Sequence, residues 1–165
     1  MPGLSKAELH SRIIAVLGEE VAAHGDREEV PFRLEVRGLI PLAVWAFTIT
    51  SPPGGRHPLE SKIQLMVPGQ GRDERGSLRS ADPDLFPILI GVKPDEDLFV
   101  LWDAWKHEGF AFSKNVQVRA QPLIDAQTFG IGEATRRLAN GHEVVLAARG
   151  ADLREALRRR IMGGS

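Results

Sequence analysis

Apolar and polar positions change their period several times along the chain, and each change marks an element. Leu9, Ile13, Val16, Leu17 and Val21 recur at helical spacing. Ser5-Lys6-Ala7-Glu8 ahead of them is a capping box, in which a serine hydroxyl and a glutamate carboxylate satisfy the free amides of a helix start. With Gly25 as the stop signal, the pattern predicts an N-terminal helix over 3–25, with His10 and Arg12 on opposite flanks of its apolar stripe. Phe32, Leu34 and Val36 then alternate with Arg33, Glu35 and Arg37, as in a half-buried strand. Leu42 to Thr50 is apolar and β-branched throughout, with Trp45 and Phe47 on one face and Val44 on the other. That composition predicts a central strand buried on both sides.

Ser51-Pro52-Pro53-Gly54-Gly55 is a turn-forming run, and Ile63 to Val67 beyond it is strand-like. The stretch from Pro68 to Pro87 has almost no periodicity and holds Arg72, Arg75 and Arg79, as a functional loop would. Two strands are predicted at Pro87–Val92 and Leu98–Asp103, joined by a turn at Lys93-Pro94-Asp95. Ala104 to Gly109 breaks the pattern, and Val116-Gln117-Val118 resumes it. Pro122 suits the first turn of a short helix, and Asn140-Gly141 is a turn signal ahead of a strand at Val144–Ala147. Leu153, Leu157 and Ile161 stripe a last helix whose outer face is arginine-rich. The order of elements lacks the regular strand–helix alternation of a parallel doubly wound fold. The expected fold is α+β: a single domain over 1–165 with a mostly antiparallel sheet, flanked by an N-terminal helix (3–25) and a C-terminal helix (150–162), with the sheet core at 30–147.

Composition narrows the class. The 165 residues suffice for one domain with a real core, and 42% apolar with 26% charged residues is ordinary for a globular protein. No apolar run approaches the roughly 20 residues that span a bilayer, and the first residues lack the apolar core of a signal peptide. The absence of cysteine excludes disulfides and thiolate metal sites. A cytoplasmic location, away from membranes, is expected. The net charge of −1 conceals an uneven distribution. Acids cluster at Glu19 to Glu29 and Asp82 to Asp97, cations at Arg72, Arg75 and Arg79 and at Arg154, Arg158, Arg159 and Arg160. A near-neutral total of this kind can hide a basic face.

Candidate chemistry centres on Arg56-His57-Pro58-Leu59-Glu60-Ser61-Lys62-Ile63-Gln64. Glu60-Ser61-Lys62 fits the E-x-K pattern of metal-dependent nucleases, which also requires a second acid, usually on the preceding strand. Leu42 to Thr50 carries none, and Glu35 lies one strand further back. The five histidines show no metal-ligand spacing, and no phosphate-binding glycine loop or nucleophile elbow is present. A nucleic-acid backbone reader needs only donors on connections. The opening stretch, the 72–79 loop, and Lys106-His107 with Ser113-Lys114-Asn115 supply them. A protein-interaction domain is the third alternative.

Arg33 to Pro41, the Trp/Phe-rich strand, Pro58 with Ile63-Gln64, Ile88 to Gly91, Phe99 to Asp103, Lys106-His107 and Phe112 to Val118 occur in one order. In that order they resemble the DNA sulfur-binding domain of McrA-type phosphorothioate-dependent restriction endonucleases. The resemblance covers residues 30–147. It implies a non-enzymatic bacterial defence module for double-stranded DNA in which sulfur replaces a non-bridging phosphate oxygen. Cutting would fall to a separate HNH nuclease domain, with no cofactor, metal or catalytic residue in this chain, and a homodimer is compatible with it. The implied sulfur pocket is His57, Pro58 and Ser61, with histidine and serine standing where the family pattern has tyrosine and alanine. The implied phosphate or base contacts are His10, Arg12, Arg56, Arg75, Arg79, Lys106, His107, Ser113, Lys114 and Asn115.

Overall fold

A computed structural model describes residues 3–50, 61–78, 82–110, 112–139 and 141–163. Its centre is a seven-stranded sheet in the order β1-β2-β3-β6-β7-β11-β10. The strands are β1 (Val21–His24), β2 (Phe32–Val36), β3 (Leu42–Thr48), β6 (Phe86–Lys93), β7 (Leu98–Trp102), β10 (Ile131–Leu138) and β11 (Gly141–Ala148). Neighbours pair antiparallel except β3 and β6, which run parallel from Leu42 opposite Phe86 to Thr48 opposite Val92. The architecture is α+β with a mostly antiparallel sheet, as the patterning predicts.

The sheet is buried on both faces, and the period of two sorts its side chains between two cores. Leu42, Val44 and Ala46 of β3, Ile88 and Ile90 of β6, and Phe99 and Leu101 of β7 face one side. Trp45 and Phe47, Leu89, and Leu98, Val100 and Trp102 face the other. The first core is covered by α1 (Lys6–Leu17), through Leu9, Ile13 and Leu17, and by α3 (Leu153–Met162), through Leu153, Ala156 and Leu157. The second is covered by a two-stranded ribbon of β4 (Ser61–Leu65) and β9 (Lys114–Val118), by α2 (Ala120–Phe129), and by the small pair β5 (Gly76–Ser77) with β8 (Glu108–Phe110). Ile63, Leu65, Val116 and Val118 point from the ribbon into this core.

The capping box forms as expected, with Ser5 and Glu8 bonding reciprocally to each other's backbone amides. The helix is shorter than 3–25, however. Gly18 takes φ +54 and ends it, a short 3-10 turn follows at Gly18–Glu20, and Val21–His24 becomes an edge strand against β2. A second difference is β10, an edge strand whose Ile131-Gly132-Glu133-Ala134-Thr135-Arg136-Arg137-Leu138 sequence carries too few apolar residues to announce itself. Edge strands commonly carry charge, which discourages pairing with another chain. The 68–78 loop is pinned through Gln70, which donates to the carbonyls of Glu74 and Phe110, and through the β5–β8 pair.

Gly91 shows how tightly the second core is filled. A Cβ there would lie 2.6 Å from Ile49 and 2.9 Å from Trp102, both side-chain atoms of the packed interior. Gly91→Ala is therefore expected to lower stability by about 1–3 kcal/mol through overpacking, read from the midpoint of urea unfolding with the slope unchanged.

Candidate nucleic-acid interface

The ribbon has an inner and an outer face. Its register sets Lys62 opposite Gln117 and Gln64 opposite Asn115. Gln64, Asn115 and Gln117 are exposed and Lys62 half-buried, so these four form the outer face. Neither strand carries an acid. Gln64 also donates its side-chain amide to the Ser113 hydroxyl at 2.5 Å, which aims the amide along the ridge. Arg119, next on the same side of β9, is exposed at the end of the strand.

A hollow lies on each flank of this ridge. On the β4 side, about 420 Å³ is lined by Leu4, Lys6, Leu9, Phe47, Thr48, Thr50, Lys62, Gln64 and Met66. Lys6 lies over the Phe47 ring at 3.8 Å and donates to the Ala46 carbonyl. Burial pulls its pKa from 10.5 down to about 8. Two backbone hydrogen bonds of 2.9 Å between Thr50 and Lys62 tie the end of β3 to β4 at the hollow's rim. On the β9 side, about 210 Å³ is lined by Gln117, Val118, Arg119, Arg136 and Arg137.

A buried carboxylate connects the cations behind the ridge. Glu143 on β11 has a fully buried side chain. One oxygen accepts from Arg136 at 3.1 Å, and the other accepts from the Asp103 amide at 2.9 Å and from His107 Nε2 at 2.7 Å. Lys114 Nζ lies 3.1 Å from His107 Nδ1. A carboxylate only accepts and an ammonium only donates, so these partners put the imidazole proton on Nε2 and leave Nδ1 to accept. Burial lowers the Lys114 pKa, with Glu143 opposing the shift. Arg160 is buried beside the same cluster and donates to the Val144 carbonyl. Each of these charged groups makes at least one hydrogen bond, as buried charges must, while Arg160 Nε is buried without one among the described residues.

The sequence-predicted residues scatter. Ser113 and Asn115 lie at the ridge, while Lys114, opposite Leu65 in the register, turns inward toward His107. Ser61 starts β4 but is 1% exposed, its side chain facing inward. Arg56, His57, Pro58, Arg79 and the E-x-K acid Glu60 lie outside the described residues. Arg72 and Arg75 are exposed on their loop, with Arg72 5.9 Å from the Phe112 ring. Lys106 is half-buried at the end of a 3-10 turn.

Three expected contacts need correction. His10 is buried, stacked on Phe32 at 4.3 Å, with Nδ1 2.5 Å from the Arg27 carbonyl, because the helix flank it occupies is covered by β2 and the turn before it. His107 is 1% exposed and bound to Glu143, so it supports Lys114 from behind. Arg12 donates to the Pro94 carbonyl at 2.6 Å and lines a hollow with Asp95, Glu96 and Asp97, an acidic setting that repels phosphate. The arginines of α3 are likewise engaged within the chain. Arg154 pairs with Glu20, Arg158 and Arg159 hold Glu155 at a pKa of about 2, and Arg160 is buried.

The residues the sequence reading passed over are Lys6, Gln117, Arg119, Arg136 and Arg137. The 115-117-119 alternation on β9 was a usable signal. The convergence of Arg136 and Arg137 with it required the β10–β11 hairpin.

A family model described as methylase-associated X1 matches residues 40–157 of the chain. No curated protein and no solved structure matches it.

Removing the buried acid should be costly. Glu143→Ala leaves Arg136, His107 and the Asp103 amide without their acceptor, and a loss of about 3–5 kcal/mol is expected in urea unfolding. Lys6 gives a pH signature. Its folded pKa lies below its unfolded one, so between about 8 and 10.5 the unfolded chain holds the proton that the folded chain has released. Stability gains a rising contribution across that window, and Lys6→Met should remove it when unfolding midpoints at pH 7.5 and pH 10 are compared.

Proposed function

Because the chain belongs to the methylase-associated X1 family, we propose that it is the DNA-targeting module of a restriction-modification system, a reader that leaves cutting to another domain. The family match ties the chain to restriction-modification. The observation that carries the DNA reading is the acid-free ridge of amides and lysine between two cationic hollows. A two-stranded ribbon, with strands about 4.8 Å apart, fits a major groove about 12 Å wide. Glutamine and asparagine amides match the adenine edge, and lysine matches the guanine acceptors. Cations to either side then meet the two phosphate backbones that wall the groove.

The finer reading is selectivity for phosphorothioate, and it rests on the resemblance together with the chemistry of the β4-side hollow. Leu4, Phe47 and Met66 give it apolar wall, while Lys6 and Lys62 give it positive charge. Sulfur is larger and less strongly hydrated than oxygen, so it gains from apolar contact where oxygen would lose hydration. The segment holding His57 and Pro58 is bounded by Thr50 and Ser61, and Thr50 and Lys62 both line this hollow.

Fluorescence titration of matched duplexes tests both levels. A duplex with one phosphorothioate of defined stereochemistry should bind more tightly than the plain duplex, and Met66→Ser should narrow that difference more than it weakens plain binding. Equal affinity for both would remove the sulfur reading and leave DNA targeting in place. No binding to any duplex at low salt, where backbone contacts are strongest, would remove targeting itself. Mg²⁺-dependent nicking that vanishes in Lys62→Ala would assign the E-x-K motif to catalysis instead.

A further inference from the structure

The hollow beyond the end of β9 is lined by three arginines from two segments of the chain. Arg119 follows the last residue of β9, and Arg136 and Arg137 sit on β10 at the rim of the sheet. Arg119 and Arg137 are exposed, and neither has an acidic partner among the described residues. Arg136 differs from the other two, since its guanidinium is fixed from behind by Glu143 at 3.1 Å and its side chain is only 25% exposed.

We propose that this hollow is a seat for a phosphate oxyanion, filled in the complex by a DNA backbone phosphate beside the bases the ridge contacts. The assignment rests on the DNA-targeting reading and adds a specific contact to it. Its size, about 210 Å³, accommodates a tetrahedral oxyanion and a few waters, each of which takes about 30 Å³ of liquid volume. Arginine matches phosphate with a planar fork of donors, and a fork already held by a buried carboxylate loses less freedom on binding. Gln117 lines the hollow and faces Lys62 across the ribbon, so an anion seated there touches the ridge. Among the described residues, the lining contains no aromatic ring on which a free nucleotide could stack its base, which favours a backbone phosphate as the source.

The same carboxylate serves both ends of β9. Through Arg136 it fixes a cation beyond Val118, and through His107 it supports Lys114 at the strand's start.

The experiment compares the full chain with Arg119→Ala/Arg137→Ala, leaving Arg136 intact because it is bonded to Glu143. A single Arg137→Glu variant serves as a second probe, and melting curves confirm that all three are folded. Each is titrated with a plain duplex at several salt concentrations and, separately, with inorganic pyrophosphate. The double variant should bind the duplex several-fold more weakly, and its plot of log affinity against log salt should be shallower by about one. Pyrophosphate should bind the unaltered chain, be displaced by duplex, and fail to bind either variant. Unchanged slope and unchanged pyrophosphate affinity in both variants would overturn the seat while DNA targeting stands. Arginine-dependent pyrophosphate binding with no duplex binding would overturn the backbone assignment together with the targeting reading, and would make a free phosphate compound the ligand.

Discussion

A sheet with apolar side chains on both faces must be covered twice, and this requirement shapes the molecule. β3, β6 and β7 send successive residues into opposite cores, so neither face can meet water. Helices α1 and α3 satisfy one face. The other is closed by a ribbon, and a ribbon differs from a helix as a cover. Its inner residues Ile63, Leu65, Val116 and Val118 fill the core, while its alternate residues form a flat row outside. Packing thus fixes the position of Lys62, Gln64, Asn115 and Gln117 without using their side chains, which leaves those side chains available for recognition.

Electrostatics then distinguishes this face from the rest. The chain is close to neutral, yet its cations divide into two groups with different partners. Those of α3 and Arg12 meet carboxylates, carbonyls or an acidic hollow within the chain. Those around the ribbon flank strands without acids. Glu143 is a fully buried acid behind the ridge, and it reaches Arg136 directly and Lys114 by way of His107. A buried carboxylate that holds cations outward is costly to desolvate. It gives them fixed positions, which exposed ion pairs such as Arg33–Glu35 do not provide.

Much of the sheet was legible in the sequence because burial on two sides leaves continuous apolar runs, as in Leu42 to Thr48 and Phe86 to Lys93. The edges were not. β1 follows the N-terminal helix after a single 3-10 turn, with only Gly18 to mark the change, and β10 carries glutamate, threonine and tandem arginines where a central strand would carry valine or leucine. The candidate site followed the same division. Ser113, Lys114 and Asn115 were readable as polar residues at the start of an alternating run; Ser113 and Asn115 stand at the ridge, and Lys114 turns inward opposite Leu65. His10 and His107 were misplaced because a histidine's exposure depends on tertiary partners, Phe32 in one case and Glu143 in the other. Arg136 and Arg137 were missed because a hairpin brings them to β9 from residues almost twenty positions away in the chain.

The central claim is that the outer face of the β4–β9 ribbon meets DNA. The most direct measurement follows the side-chain amide resonances of Gln64, Asn115 and Gln117 by NMR as a duplex is added, with the exposed Gln121 and Gln127 of α2 as internal references. The account predicts that the three ridge amides shift together in a saturable way while the references stay in place. Saturable binding that leaves the ridge amides unmoved, with shifts confined to the face covered by α1 and α3, would contradict it.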